Sequence, residues 1–296
     1  EVPSDGSTAG AVADLNGDGY DDLVLGMRGN GKREDLNAFV YYGSPEGLSE
    51  RRQQLLPAPA CVSVTVGDFN GDGRPDLAFV CQQWEGSHVL FKSDRYVRIF
   101  YQSELGFEPK QYVDLEIDAW TESGEKRSYS AREQVGAVDL DRDGYADLIV
   151  RSDDGQVSVY WGGPQGLDPT QATRIPVALD VGASARTQEI QDQPGEEFED
   201  EAPQAQAVVL GGVPHIFVPQ EQAALLVPVD EDRRFGQPIV LGCTRPLAVA
   251  VGDISDNGSE DLVLVCRQRF EDAECSWLYW GSDDGYDDAR RTPLKT

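Results

Sequence analysis

Four stretches of the chain place oxygen-bearing side chains at one spacing. Residues 14–22 read Asp-Leu-Asn-Gly-Asp-Gly-Tyr-Asp-Asp, and residues 68–76 read Asp-Phe-Asn-Gly-Asp-Gly-Arg-Pro-Asp. Residues 139–147 read Asp-Leu-Asp-Arg-Asp-Gly-Tyr-Ala-Asp, and residues 253–261 read Asp-Ile-Ser-Asp-Asn-Gly-Ser-Glu-Asp. Carboxylates or amides at positions 1, 3 and 5 of a tight loop converge on one point. Position 7 can add its backbone carbonyl, and Asp at position 9 closes the shell. Gly at position 6 (Gly19, Gly73, Gly144, Gly258) allows the sharp turn. An all-oxygen set of this kind suits Ca²⁺. One copy would be open to the plainer reading of an acidic, Gly-rich turn without metal, and three near-identical copies argue against it. The fourth copy departs from the pattern, with Ser255 and Asn257 in place of ligands.

The elements around these loops are strands. The start of each loop is similar to an EF-hand, but position 12, where an EF-hand needs Glu, is Leu25, Phe79, Val150 or Leu264. Each loop exits into a β-type run such as Leu23-Val24-Leu25 or Leu148-Ile149-Val150 and is preceded by a small or apolar stretch such as Gly10-Ala11-Val12-Ala13. Each is therefore read as a turn joining two antiparallel strands. An aromatic strand follows: Val40-Tyr41-Tyr42-Gly43, Ile99-Phe100-Tyr101, Val159-Tyr160-Trp161-Gly162 and Leu278-Tyr279-Trp280-Gly281. A Gly turn and a fourth apolar segment complete the unit. Four antiparallel strands per repeat describe a propeller blade. The first-Asp positions are 54, 71 and then 114 residues apart, and the last is about twice 57, so a blade without an Asp loop lies between. Residues 205–211, 213–218, 223–229 and 238–241 read as its strands, with the acidic stretch 193–205 expected to replace its calcium loop. The expected fold is all-β, a β-propeller of five blades with four antiparallel strands each, forming one domain over 1–296. The blades cover about 7–58, 59–118, 133–178, 179–243 and 244–296.

These residues closely resemble the FG-GAP/VCBS repeat family, known from integrin α-subunit propellers and many secreted bacterial proteins. The resemblance covers four of the five units, and the Asp-x-Asn-Gly-Asp-Gly-x-x-Asp-Leu signature is specific. It implies Ca²⁺ held by Asp14, Asn16, Asp18, the Tyr20 carbonyl and Asp22. In the second loop the set is Asp68, Asn70, Asp72, the Arg74 carbonyl and Asp76, and in the third Asp139, Asp141, Asp143, the Tyr145 carbonyl and Asp147. The fourth would be Asp253, Ser255, Asn257, Ser259 and Asp261, giving three sites and an optional fourth. Rings of seven or eight blades are commoner in the family, so a longer propeller stays open. Against it, the chain starts at a first strand and ends after a fourth, as a complete set of blades would.

Charge narrows the partners. The 296 residues carry 53 Asp+Glu against 25 Lys+Arg, a formal net charge of −28. That excludes nucleic acid as the main partner and disfavours anionic membrane. The hydrophobic fraction of 40% is enough for a core, and no apolar run reaches the ~18–20 residues of a membrane span, so no membrane insertion is expected. No signal peptide is present ahead of Glu1, so any targeting segment is expected outside this sequence. Five cysteines permit two disulfides. Cys61 and Cys81 flank the second loop's hairpin and sum to 142, close to the expected 144, which suits a cross-strand disulfide. Cys266 holds the same place in the last blade, with Cys243 or Cys275 as its partner. The pairing sum disfavours Cys243 by five residues. Disulfides with Ca²⁺ loops point outside the cytoplasm: extracellular, periplasmic or cell-surface.

The loops joining strands 2–3 and 4–1 are expected on the face opposite the calcium loops. They hold 13 of the 25 basic residues. Arg28, Arg95, Arg151 and Arg267, with Trp84, His88 and Trp120, make this face the candidate ligand site. Arg pairs bidentately with carboxylate and sulfate, so an anionic glycan or a protein segment is the expected ligand. The charges could equally do no more than soften local acid repulsion. A non-catalytic binding or adhesion module is the leading function. Its alternatives are a structural scaffold and a polysaccharide lyase with His88 or Tyr129 as base. No Ser/His/Asp spacing, phosphate loop or zinc motif supports catalysis, and no catalytic residue is assigned.

Overall fold

The computed structural model describes residues 6–28, 36–85, 92–116, 134–151, 156–175, 205–220, 222–266, 276–282 and 285–294, with backbone alone for 82–85, 92–95 and 116. Among them, twenty strands form five four-stranded antiparallel sheets. The first sheet is β1 (Ser7–Ala13), β2 (Asp22–Met27), β3 (Ala38–Tyr41) and β4 (Gln53–Leu56). The second is β5 (Ser63–Gly67), β6 (Asp76–Glu85), β7 (Lys92–Phe100) and β8 (Val113–Glu116), and the third is β9 (Gln134–Val138), β10 (Asp147–Arg151), β11 (Val157–Tyr160) and β12 (Thr173–Arg174). The fourth is β13 (Gln206–Leu210), β14 (Val213–Pro219), β15 (Ala223–Pro228) and β16 (Ile239–Gly242), and the fifth is β17 (Pro246–Gly252), β18 (Asp261–Cys266), β19 (Ser276–Tyr279) and β20 (Arg291–Leu294). Strand order follows chain order within every sheet, the meander of a propeller-like blade.

The chain divides into two compact units. The first holds residues 1–139, 144–152 and 159–173. The second holds 174–296 with 153–158 and the short segment Leu140–Asp143 at the tip of the third Asp loop.

The sheets pack through alternating side chains. Along β6, Leu77, Phe79 and Cys81 join the layer shared with the first sheet, where they meet Leu15, Val24, Val40 and Leu56. Ala78 and Val80 point the other way, onto Val135, Leu148, Val150 and Tyr160 of the third sheet. A strand buried on both faces reads as a continuous apolar run, and Leu77-Ala78-Phe79-Val80 is one. In the second unit, Phe217, Leu226 and Leu241 pack against Val249, Leu262, Leu264 and Tyr279. Each such side chain contributes about 1.5–3 kcal/mol by leaving water.

Two expectations are corrected here. The fourth sheet does not use the acidic stretch 193–205 in place of a calcium loop. Leu210 pairs with Val213 across a two-residue turn, Gly211-Gly212, with φ of 56° and 75°. A two-residue hairpin with positive φ at both central positions has no room for a metal loop. Residues 193–204 precede β13 and lie outside the described residues.

The expected Cys61–Cys81 disulfide is not formed. Both are buried free thiols of one core layer, and burial pushes the Cys61 thiol up to about 12. The β5–β6 ladder pairs Ser63 with Val80, a sum of 143, which puts position 62 rather than Cys61 opposite Cys81. The disulfide among the described residues joins Cys243 to Cys266. The pairing sum missed it because Pro246, not Cys243, faces Cys266 in the hairpin ladder. Cys243 lies where the chain leaves β16, so the bond ties the end of the fourth sheet to β18. Closing a loop of 23 residues stabilises by about 3 kcal/mol on the chain-entropy account.

Candidate metal centre

The four Asp loops share one frame. In each, the residue before position 1 pairs with the Asp at position 9: Ala13 with Asp22, Gly67 with Asp76, Val138 with Asp147 and Gly252 with Asp261. Position 9 therefore opens the second strand of its hairpin. Position 6 is left-handed throughout, at φ 85°, 82°, 92° and 82° for Gly19, Gly73, Gly144 and Gly258. Position 4 is left-handed too. Gly17 and Gly71 fill it easily, while Arg142 (φ 63°) and Asp256 (φ 55°) hold the same conformation with a Cβ.

The position-1 carboxylate organises the loop. Asp14 Oδ1 accepts from the backbone N–H of Gly17 (2.8 Å) and Asp18 (3.1 Å), and Oδ2 accepts from Gly19 (2.8 Å). Asp68 accepts from Asp72 and Gly73, and Asp253 from Asn257 and Gly258. Asn16 and Asn70 each accept from the N–H two residues on, at 2.9 and 3.0 Å. These bonds fold positions 1 to 6 into one tight turn.

Position 9 does more than the spacing implies. Asp22, Asp76, Asp147 and Asp261 are completely buried. One oxygen accepts from the N–H at position 2 in three loops: Leu15 to Asp22 (2.9 Å), Phe69 to Asp76 (3.1 Å) and Ile254 to Asp261 (2.9 Å). The other accepts from the residue two after the third strand: Gly43 (2.7 Å), Gln102 (2.8 Å), Gly162 (2.8 Å) and Gly281 (2.9 Å). Each carboxylate thus latches its loop to the end of the aromatic strand. That placement explains the Gly of the aromatic motif. A Cβ at Gly43, Gly162 or Gly281 would fall 2.1–2.4 Å from the carbonyl oxygen of the residue before the latch Asp. In the second sheet Gln102 takes this place, and its Nε2 donates to the Leu15 carbonyl of the first loop at 2.9 Å. The second loop in turn accepts from the third sheet, Ala146 N–H to the Asp68 carbonyl (2.8 Å) and Gly163 N–H to that of Phe69 (3.1 Å). Within the first unit, therefore, Asp loops of neighbouring sheets lie side by side at one edge.

Burial sets the charge on the latches. It pushes Asp76 up to about 7 and raises Asp22, in both cases against two backbone hydrogen bonds. Burial also opposes ionisation of Asp261, but the N–H groups of Gly281, Ser255 and Ile254 outweigh it and hold the carboxyl below its usual range. Asp76→Asn turns one of two acceptors into a donor facing an N–H. The expected cost is about 1–3 kcal/mol in a denaturant melt, and no loss of stability would contradict the latch.

The third loop has the densest charge. Ligand oxygens of Asp139, Asp141 and Asp147 lie within 4.8 Å of one another. The first two loops carry Asn at position 3, which removes one carboxylate from the same place. Asp139 Oδ2 accepts from Gly144 (3.1 Å), but its Oδ1 is buried with no hydrogen-bond partner. A buried anionic oxygen without a donor is costly, and three carboxylates at this spacing repel. A hard, oxygen-seeking divalent cation fits this donor set.

The expected ligand face is only partly visible. Arg28 is half-buried at the end of β2, its N–H bonded to the Gly6 carbonyl at 3.1 Å, and Arg151 closes β10. Trp84 and Arg95 are placed by backbone alone, on β6 and β7. His88, Trp120, Tyr129 and Arg267 lie outside the described residues. Among the described residues no helix is long and apolar enough to cross a membrane.

Comparison with known proteins agrees with this frame. An FG-GAP-like repeat model matches residues 14–79, which span the first two loops, and an FG-GAP repeat model matches 131–160, around the third. Human integrin alpha-7 is 35% identical over 152 residues, 48% of this chain and 12% of the integrin. Chicken integrin alpha-6 is 32% identical over 181 residues, covering 58% and 16%. Mouse integrin alpha-IIb is 31% identical over 154 residues, covering 47% and 14%. The matches thus span less than a fifth of the length of these relatives. The two repeat models fall on three of the four Asp loops and the integrin matches run through about half the chain, so the chain carries repeats of the FG-GAP kind, similar to those of integrin α chains.

Proposed function

We propose that this chain is a calcium-stabilised propeller, of five blades, that serves outside the cytoplasm as a non-catalytic binding or adhesion module. The observation that carries the calcium reading is the third loop, where three carboxylates converge around a buried Asp139 oxygen that has no donor. The same frame at the first two loops supports two more sites, with the sets given by the sequence. The fourth loop has Ser255 and Asn257 at positions 3 and 5 and is the optional site. A bound ion would supply positive charge to carboxylates that otherwise repel. The chain's own residues do the rest: the position-1 Asp gathers the loop, and the position-9 Asp fastens it to the aromatic strand. Similarity to integrin α chains supports adhesion and an extracellular or cell-surface location.

The ligand is an anionic glycan or an acidic protein segment held by the basic loops opposite the Asp loops. The test is a glycan array, with a panel of acidic peptides, probed with and without Ca²⁺. Arg28→Glu and Arg267→Glu are each expected to weaken binding at least tenfold while leaving the melting curve near that of the parent. Ligand binding unaltered by both reversals would contradict the assigned face.

A further inference from the structure

The turn between β15 and β16 carries an arginine in an unusual backbone conformation. Arg233 has φ 64°, a left-handed value that L side chains seldom adopt. Asp230 holds it there: its carbonyl accepts from Arg233 N–H (3.0 Å), and its carboxylate accepts from Asp232 (3.0 Å) and Arg234 (2.9 Å). The constrained turn directs the guanidinium onto the tip of the third Asp loop, which belongs to the same compact unit. Nε donates to Asp141 Oδ2 at 2.5 Å, and Nη2 donates to Asp143 Oδ2 at 3.0 Å. Asp141 is nearly buried, with its side chain 3% exposed, whereas Arg233 is 37% exposed. The two carboxylates are positions 3 and 5 of the loop, two of the side chains expected to ligate Ca²⁺. In the first loop position 3 is the neutral Asn16, and among the described residues no ion pair reaches its position-5 charge, Asp18; in the second loop Asp72, at position 5, pairs with Arg74 of the same loop.

We infer that Arg233 is a built-in competitor for the cation of the third loop, so that Ca²⁺ binding there must release the guanidinium from Asp141 and Asp143. This rests on the calcium reading given above. Arg cannot lose its proton, so the competition is between two permanent cations for the same oxygens. Oδ1 of Asp139, which has no donor, is left to the ion alone. The displaced guanidinium has somewhere to go. The turn borders a cleft of about 640 Å³ lined in part by Asp230, Glu231 and Asp232. Calcium at the third loop is thereby coupled to the β15–β16 turn, and this site is the weakest of the three well-formed loops.

The test is Ca²⁺ titration calorimetry on the full chain, stripped of metal, for the parent, Arg233→Asn, Arg233→Gly and each with Asp139→Asn added. Asn and Gly both tolerate positive φ, so the turn keeps its shape without the charge. Removing the guanidinium should tighten one site about tenfold, and adding Asp139→Asn should abolish that site. A second readout is the melting curve. Arg233→Asn should lower the melting temperature in EDTA and lose most of that deficit in saturating Ca²⁺. Ca²⁺ binding with every affinity unchanged, or weakened, by both Arg233 variants overturns the competition and leaves the calcium reading standing. An absence of Ca²⁺ binding in parent and variants alike overturns both.

Discussion

EDTA is expected to lower the melting temperature of the chain by on the order of 10–20 °C, against a control of equal ionic strength. The size follows from linkage. A ligand at about a hundred times its dissociation constant stabilises by about 2.7 kcal/mol per site, so three loops give about 8 kcal/mol. A chain of this size shifts by roughly 2 °C per kcal/mol. The effect is large because the metal-free loops leave charge in costly places. The latch carboxylates Asp22 and Asp76 are buried where charge is disfavoured, and Asp139, Asp141 and Asp147 crowd one point. The third loop contributes least, since Arg233 already meets part of its charge. Mg²⁺ should restore little of the loss, because it resists dehydration and demands a tighter octahedral shell. Melting curves that superimpose with and without EDTA would contradict the metal assignment.

Gly162→Ala is expected to destabilise the chain by about 4 kcal/mol without replacing a proposed ligand. The added Cβ would sit 2.4 Å from the Ala146 carbonyl oxygen and 2.8 Å from the Tyr145 Cβ. Backbone atoms on that side cannot swing away as a side-chain tip can, so β11 and the loop must separate. Overpacking of this kind costs about 1–3 kcal/mol. Separation also breaks the Gly162 N–H bond to buried Asp147 Oδ1, which adds roughly 1–3 kcal/mol. Gly163→Ala is the matched control. The atom nearest its Cβ, the Gly166 carbonyl oxygen, lies at 4.0 Å, so its effect should stay within about 0.5 kcal/mol. Urea melts of the two variants decide the point, and equal stabilities would show that the latch geometry is unimportant.

Much of this architecture was legible in the sequence because its signals are local. The 1-3-5-9 spacing, the small residues before it and the β-branched run after it lie within about fifteen residues of one another. Strands read at 205–211, 213–218, 223–229 and 238–241 fall on β13, β14, β15 and β16, although that repeat has no Asp loop. What escaped depends on contacts distant in sequence. Position 9 looked like a ligand alone, since nothing nearby shows that Asp22 also accepts from Gly43. The Gly ending three of the four aromatic motifs was the available clue. Arg233 lies 92 residues from Asp141 in a turn with no motif, so no pattern could join them. The cysteine pairing failed for a similar reason: a hairpin sum tests one ladder only, and Cys243 stands outside it.

Charge takes on a different meaning once the loops are in place. Fifteen acidic side chains lie in the four Asp loops, so four bound Ca²⁺ would bring −28 to −20 and three would leave −22. On the calcium reading, part of the acidity is an inventory of sites. The measurement that tests the central claim most directly is the count of calcium itself. After metal removal and equilibrium dialysis against micromolar ⁴⁵Ca²⁺, the chain should retain three to four ions, and Asp14→Asn, Asp68→Asn and Asp139→Asn should each remove one. Retention of no calcium, or a count unmoved by all three substitutions, would contradict the account.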